Sequence, residues 1–168
     1  MPLLLLIGGL ALATPLRAET IDRVLAVVAG QLITLSDVTA AQELGLRAPA
    51  PAPDPIRGML LSMIDRALVL AEAERYAPPE PSPDAIQHEI DVVRERFPSS
   101  QEFDAALARA GLDDRHLREL MRQDLRIRAY EDQRFAAADP ARRKALIDDW
   151  VAGLRRRADI IDLYLQRR

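Results

Sequence analysis

The sequence predicts a mostly α-helical fold with a small β-sheet, in which an N-terminal hairpin is joined by a C-terminal strand. Three observations carry this expectation. Apolar residues recur at helical spacing through the middle of the chain, behind repeated Ser and Asp caps. β-branched runs stand at both ends, at residues 21–34 and 160–165. A lone hairpin is marginal in water, so the two ends are expected to share one sheet and close the domain.

The chain has 168 residues, 49% hydrophobic and 29% charged. That suits one domain and excludes overall disorder. The absence of cysteine excludes disulfides, thiolate metal sites and a cysteine nucleophile. Two histidines, His88 and His116, leave little for a metal centre or a catalytic triad. Acidic residues dominate up to Asp114 and basic ones after it. Such asymmetry fits either a basic binding face or two halves that pair with each other. Aromatic residues make up 4%, too few for a stacking platform, so no nucleic-acid partner is expected.

Residues 1–18 read as a secretory signal peptide. Pro2 to Leu16 is apolar apart from small residues and Thr14, and Ala18 suits the cleavage position. The stretch is short for a membrane span, which needs about 20 residues. An uncleaved anchor or a buried N-terminal helix is the alternative. The remainder, residues 19–168, is read as a single domain with no integral membrane span.

Within that domain the elements follow in order. Residues 21–34 form a hairpin turning at Ala29-Gly30-Gln31, without the favoured Asn-Gly pair. Ser36 is read as an N-cap for a short helix to about Leu44, with Gly45 at its end. Residues 48–55 alternate Ala and Pro, the composition of a stiff extended linker. Asp54 caps and Pro55 opens a helix through Tyr76 that is apolar on most sides, hence central. Ser82 and Pro83 start a helix through Phe97, with Ile86, Ile90, Val93 and Phe97 in one stripe. Ser99 and Glu102 form a capping-box pattern before Phe103, Ala106, Leu107 and Ala110. Asp113 caps a long helix with Arg115, Arg118, Arg122 and Arg126 on one face. Asp139-Pro140 starts the last helix, carrying Leu146, Trp150 and Leu154.

The chemistry on offer is sparse. Asp113 and His116 could pair as orienter and base, but no nucleophile is nearby and a helix cap explains the aspartate better. Asp113-Asp114 and Asp148-Asp149 are adjacent on helices and point apart, so neither makes a shared-proton dyad. The glycines are too scattered for a phosphate loop. The arginine face is expected to be solvated and paired with acids on neighbouring helices, the alternative being an anionic partner such as lipid headgroups. No cofactor and no metal are expected.

The segment from Ile21 through Val38, with its valine-rich strand, Ile33-Thr34 and Ser36-Asp37, resembles the start of SurA-type periplasmic chaperones. The resemblance continues through Leu61 to Tyr76, the helix of Ile86 and Ile90, Phe103 to Leu107, Gly111-Leu112 and Leu120 to Ile127. Trp150 to Arg155 followed by Ala158-Asp159-Ile160 looks like that family's closing helix and strand. Ala29 departs from the family's Asn-Gly turn. A larger departure lies at residues 135–139, where the two parts join almost directly. In this family parvulin prolyl-isomerase domains usually stand there.

The resemblance therefore implies a helical SurA N-domain-like body in the periplasm, acting without ATP and without isomerase activity. Its implied partners are unfolded or nascent outer-membrane polypeptides, held through extended apolar segments in a groove between helices. Met59, Met63, Phe97, Phe103, Met121 and Tyr130 are the candidate peptide-binding residues, chosen for size and adaptability, although each is also a natural core residue. Two alternatives stand beside this: a scaffold module holding a single envelope partner, and an isomerase-related protein with residual activity.

Overall fold

The structure, a computed structural model, describes residues 22–164. The expected leader and the last residue of the C-terminal β-type run, Leu165, lie outside the described residues. Strands β1 (Val24–Val28) and β2 (Gln31–Thr34) form the hairpin. Val28 pairs with Gln31, so Ala29 and Gly30 alone make the turn. Both are left-handed, at φ 49° and 80°. A type I′ turn requires this, and its twist matches the strands it joins. Glycine accepts that conformation freely, whereas alanine holds it at a steric cost of roughly 1–2 kcal/mol. Ala29→Asn should therefore stabilise the protein by about 0.5–1 kcal/mol, because asparagine tolerates this region. The check is a higher urea midpoint at unchanged m-value.

Strand β3 (Ile160–Asp162) adds antiparallel to the other side of β1, giving the order β2-β1-β3. The pairing continues one residue further, where the Leu163 amide donates to the Leu25 carbonyl at 2.9 Å. Two side-chain ties hold the strand down. Asp162 pairs with Arg57 at 2.5 Å, and Tyr164 Oη donates to Asp54 at 2.9 Å. The expected closure of the domain by its two ends is thus what the fold contains.

Six helices lie between β2 and β3. Helix α1 (Leu35–Glu43) is capped by Thr34 and not by Ser36. Strand β2 runs into the helix without a loop, so Thr34 is the last extended residue. Its Oγ1 accepts from the Asp37 amide at 3.3 Å, and the Asp37 carboxylate accepts from the Thr34 amide at 2.8 Å. Ser36 sits inside the first turn and bonds Asp22. Helix α2 (Pro55–Tyr76) starts at the expected Asp54 cap. Helix α3 (Pro83–Arg94) ends before Phe97, because the Arg96 and Phe97 amides turn back to the Val93 and Arg94 carbonyls. Helices α4 (Ser100–Arg109), α5 (Asp114–Arg134) and α6 (Pro140–Arg157) start at the expected caps Ser99, Asp113 and Asp139. Among the described residues no helix is long and apolar enough to cross a membrane.

Helix α2 is central, as its apolar girth requires. Met59, Leu60, Ile64 and Leu68 pack under the sheet with Leu25, Val28 and Ile33. A second core joins Leu44 after α1, Ile90 and Val93 of α3, Phe103 and Ala106 of α4, and Leu117 and Met121 of α5. Apolar burial of this kind is the main favourable term in folding.

Candidate functional site

Helix α2 buries one side under the sheet and turns Leu61, Ser62, Asp65, Arg66 and Val69 the other way. These residues floor a cleft of about 1150 Å³. Helix α5 supplies a second wall with Met121, Asp124, Ile127, Arg128 and Glu131. Helix α6 supplies a third with Asp148, Val151, Ala152, Arg155 and Arg156, and α3 adds Glu89 and Val93.

The remaining wall is Leu46, Arg47, Ala48, Ala50 and Pro51, which runs into the stretch at residues 48–55 expected to be a linker. It is instead a strap tied across α2. The Ala50 amide donates to the Gly58 carbonyl at 3.0 Å, and Ser62 Oγ donates to the Ala48 carbonyl at 2.7 Å. Gly58 allows this approach, because a Cβ there would stand 2.6 Å from the Ala50 carbonyl oxygen. A lone glycine inside a helix often marks such a close contact, and that was the one local signal for the strap.

Charged groups cross the cleft in pairs. Arg66 Nε donates to Asp124 Oδ1 at 2.7 Å and its Nη2 to Gln123 Oε1 at 3.0 Å. Arg47 reaches the same Asp124 from the strap at 3.3 Å. Arg155 of α6 holds Asp65 of α2 at 2.5 Å, and Arg128 of α5 holds Glu89 of α3 at 2.8 Å. Burial pushes the Arg47 guanidinium below its usual range; Asp124 opposes this and the neighbouring Arg66 adds to it. The cleft mixes apolar and charged side chains on its floor and on its walls, and the ion pairs lock its helices together.

Burial also pushes the Glu131 carboxyl up, with Arg143 opposing and Asp132 adding. A carboxyl raised above its unfolded value weakens the fold once it ionises. The penalty is absent below the unfolded pKa of about 4.3 and grows as pH rises through the folded value. Glu131→Gln should therefore unfold at a higher temperature than the parent at neutral pH. That advantage should vanish near pH 3.5. Thermal melts across this range check both the sign and the window.

The six residues singled out for peptide binding are not brought into one groove. Met59 is buried under the sheet, with Met63 packed beside it. Phe103 and Met121 are buried in the second core, and Phe97 packs against that core. Tyr130 is buried in an aromatic row, stacked on Tyr76 at 5.3 Å and tilted against Trp150 at 5.9 Å. Of the six, Met121 is the one that lines the cleft.

The arginine face of α5 is largely neutralised. Arg118 pairs with Asp114 at 2.7 Å, and Arg122 with Glu119 at 2.8 Å and Glu80 at 2.9 Å. Arg126 lies 3.9 Å from Glu80. Asp113 caps α5 by accepting from the His116 amide at 2.8 Å, while His88 is exposed. Asp148 pairs with Lys144 at 2.6 Å. Among the described residues no group of three or more metal-ligating side chains exists. Sequence reasoning missed the strap and the Arg47-Asp124-Arg66 cluster, whose members are far apart in the chain. No protein-family model matches this chain, and no curated protein matches it.

Proposed function

We propose that the protein is a periplasmic, ATP-independent chaperone that holds extended apolar segments of unfolded outer-membrane proteins, without isomerase activity. The observation that supports this reading is the cleft between α2, α5, α6 and the strap. Its volume, about 1150 Å³, exceeds the roughly 300–1,000 Å³ of ordinary small-ligand pockets and suits a length of polypeptide. Leu61, Val69, Ile127 and Val151 give its lining an apolar share that such a segment could cover. Binding would rest on apolar burial, weak per contact and reversible. The short connection from Arg134 of α5 to Pro140 of α6 leaves no room there for an inserted isomerase domain. The location and the client class in this reading rest on the resemblance to SurA-type chaperones and on the leader expected at residues 1–18.

The test is suppression of aggregation of an unfolded outer-membrane β-barrel protein by residues 19–168, the expected mature chain, without ATP. Suppression near one chain per client is the expected result. Continued aggregation at large excess, from a sample with a folded helical spectrum, would overturn the reading.

A further inference from the structure

The charges lining the cleft do not cancel. Asp65, Glu89 and Asp148 each have a cationic partner, namely Arg155, Arg128 and Lys144. Asp124 is shared between Arg47 and Arg66, two guanidiniums on one carboxylate. Arg47 binds Asp124 through Nη2, and its Nε and Nη1 carry no hydrogen bond among the described residues. Arg96 spends one donor on the Gly45 carbonyl at 2.6 Å and meets no carboxylate among the described residues. Arg156 also lines the cleft and makes no ion pair among them. Glu131 is the remaining acid of the lining, where six arginines, at 47, 66, 96, 128, 155 and 156, face five carboxylates, at 65, 89, 124, 131 and 148. Cationic donors are therefore in excess in the cleft, with Arg47 half-buried, beside the apolar side chains of Leu61, Val69, Ile127 and Val151.

We propose that the cleft selects apolar polypeptide segments that carry acidic side chains, with Arg47, Arg96 and Arg156 receiving the carboxylates. This rests on the chaperone reading of the same cleft and names the kind of segment it prefers. Guanidinium–carboxylate hydrogen bonds are charge-assisted and about twice as strong as neutral ones. A carboxylate at Arg47 would also meet the charge that the shared Asp124 leaves uncompensated. The three guanidiniums come from separate elements: the strap, the turn after α3, and α6. They do not converge on one blind end, so side-chain carboxylates spaced along an extended segment fit them better than a single C-terminal carboxylate does.

The experiment titrates the mature chain, residues 19–168, into labelled peptides of one extended apolar sequence and reads fluorescence anisotropy. One peptide carries two Glu, a second carries Gln in their place, and both are C-terminally amidated. A third is the Gln peptide with a free C-terminus. The Glu peptide should bind about tenfold more tightly than its Gln twin at low salt. That gap should narrow in about 0.5 M salt, where exposed charges are screened. Arg47→Gln and Arg156→Gln should each shrink the gap between the Glu and Gln peptides. Arg156 is exposed, so its replacement leaves folding untouched. Equal affinity for the Glu and Gln peptides, a gain only from the free C-terminus, or no binding of any peptide would each overturn the selection. Suppression of client aggregation that persists in those cases would leave the chaperone reading standing, so the two fail separately.

Discussion

Phe103→Ala should cost the fold about 3–5 kcal/mol, the range for deleting a buried aromatic ring. The ring is 2% exposed. It meets Phe97 edge-on, with centroids 5.5 Å apart, and Arg94 lies over its face at 5.1 Å. Phe103 and Ala106 are the buried side chains by which α4 enters the second core. Little else can close over the space that truncation leaves. Against a typical total stability of about 5–15 kcal/mol, this is a large fraction.

The loss should show as a lower urea midpoint, and amide exchange should quicken first in α4 while the sheet stays protected. A cost below about 1 kcal/mol would mean that α4 is not docked as described. The same substitution separates two roles for this ring. A core ring costs stability when removed. A ring that contacts clients would cost binding at nearly constant stability.

Phe103 also shows why the fold was more legible in the sequence than the cleft. The caps at Asp54, Ser82, Ser99, Asp113 and Asp139 act on amides two or three residues away, so local sequence is enough to find them. The closing strand was legible because Ile160-Ile161-Asp162-Leu163 breaks from the helical spacing before it, as the β-type stretch at residues 21–34 does at the other end. By residue type Ser36 is the slightly better cap, and Thr34 is also a good one. The choice between them was made by how far β2 stays paired with β1, which is a tertiary matter. Phe97 continues the stripe of Ile86, Ile90 and Val93 although the helix has ended, since the tight turn keeps it on the core side. For the site, size and apolarity mark a client-binding side chain and a core side chain alike, and Met59, Phe103, Met121 and Tyr130 are all buried. The cleft depends instead on pairs such as Arg47 and Asp124, 77 residues apart, which no local pattern encodes.

Gly58→Ala and Gly153→Ala form a pair with opposite expected signs. Both glycines lie inside long helices and are buried. Helix propensity alone favours alanine at each by up to about 1 kcal/mol. At Gly153 an added Cβ would meet Arg157 Nη1 at 3.4 Å and Arg156 Nη2 at 3.6 Å, the far ends of side chains that can move. That substitution should gain about 0.5–1 kcal/mol. At Gly58 the Cβ would stand 2.6 Å from the Ala50 carbonyl oxygen and 3.2 Å from Pro49 Cβ. The strap must retreat and surrender the bond from the Ala50 amide to the Gly58 carbonyl. Overpacking typically costs 1–3 kcal/mol and a lost hydrogen bond about 1, so a net loss of about 2 kcal/mol is expected despite the propensity gain. Arg47, Ala48, Ala50 and Pro51 form one wall of the cleft, so displacing the strap also moves a binding surface. Gly58→Ala should therefore weaken client holding even at temperatures where the variant is fully folded, and Gly153→Ala should not. Equal stabilities for the two variants would mean the strap does not sit against α2. A destabilised Gly58→Ala that holds clients as well as the parent would mean that the strap wall takes no part in binding.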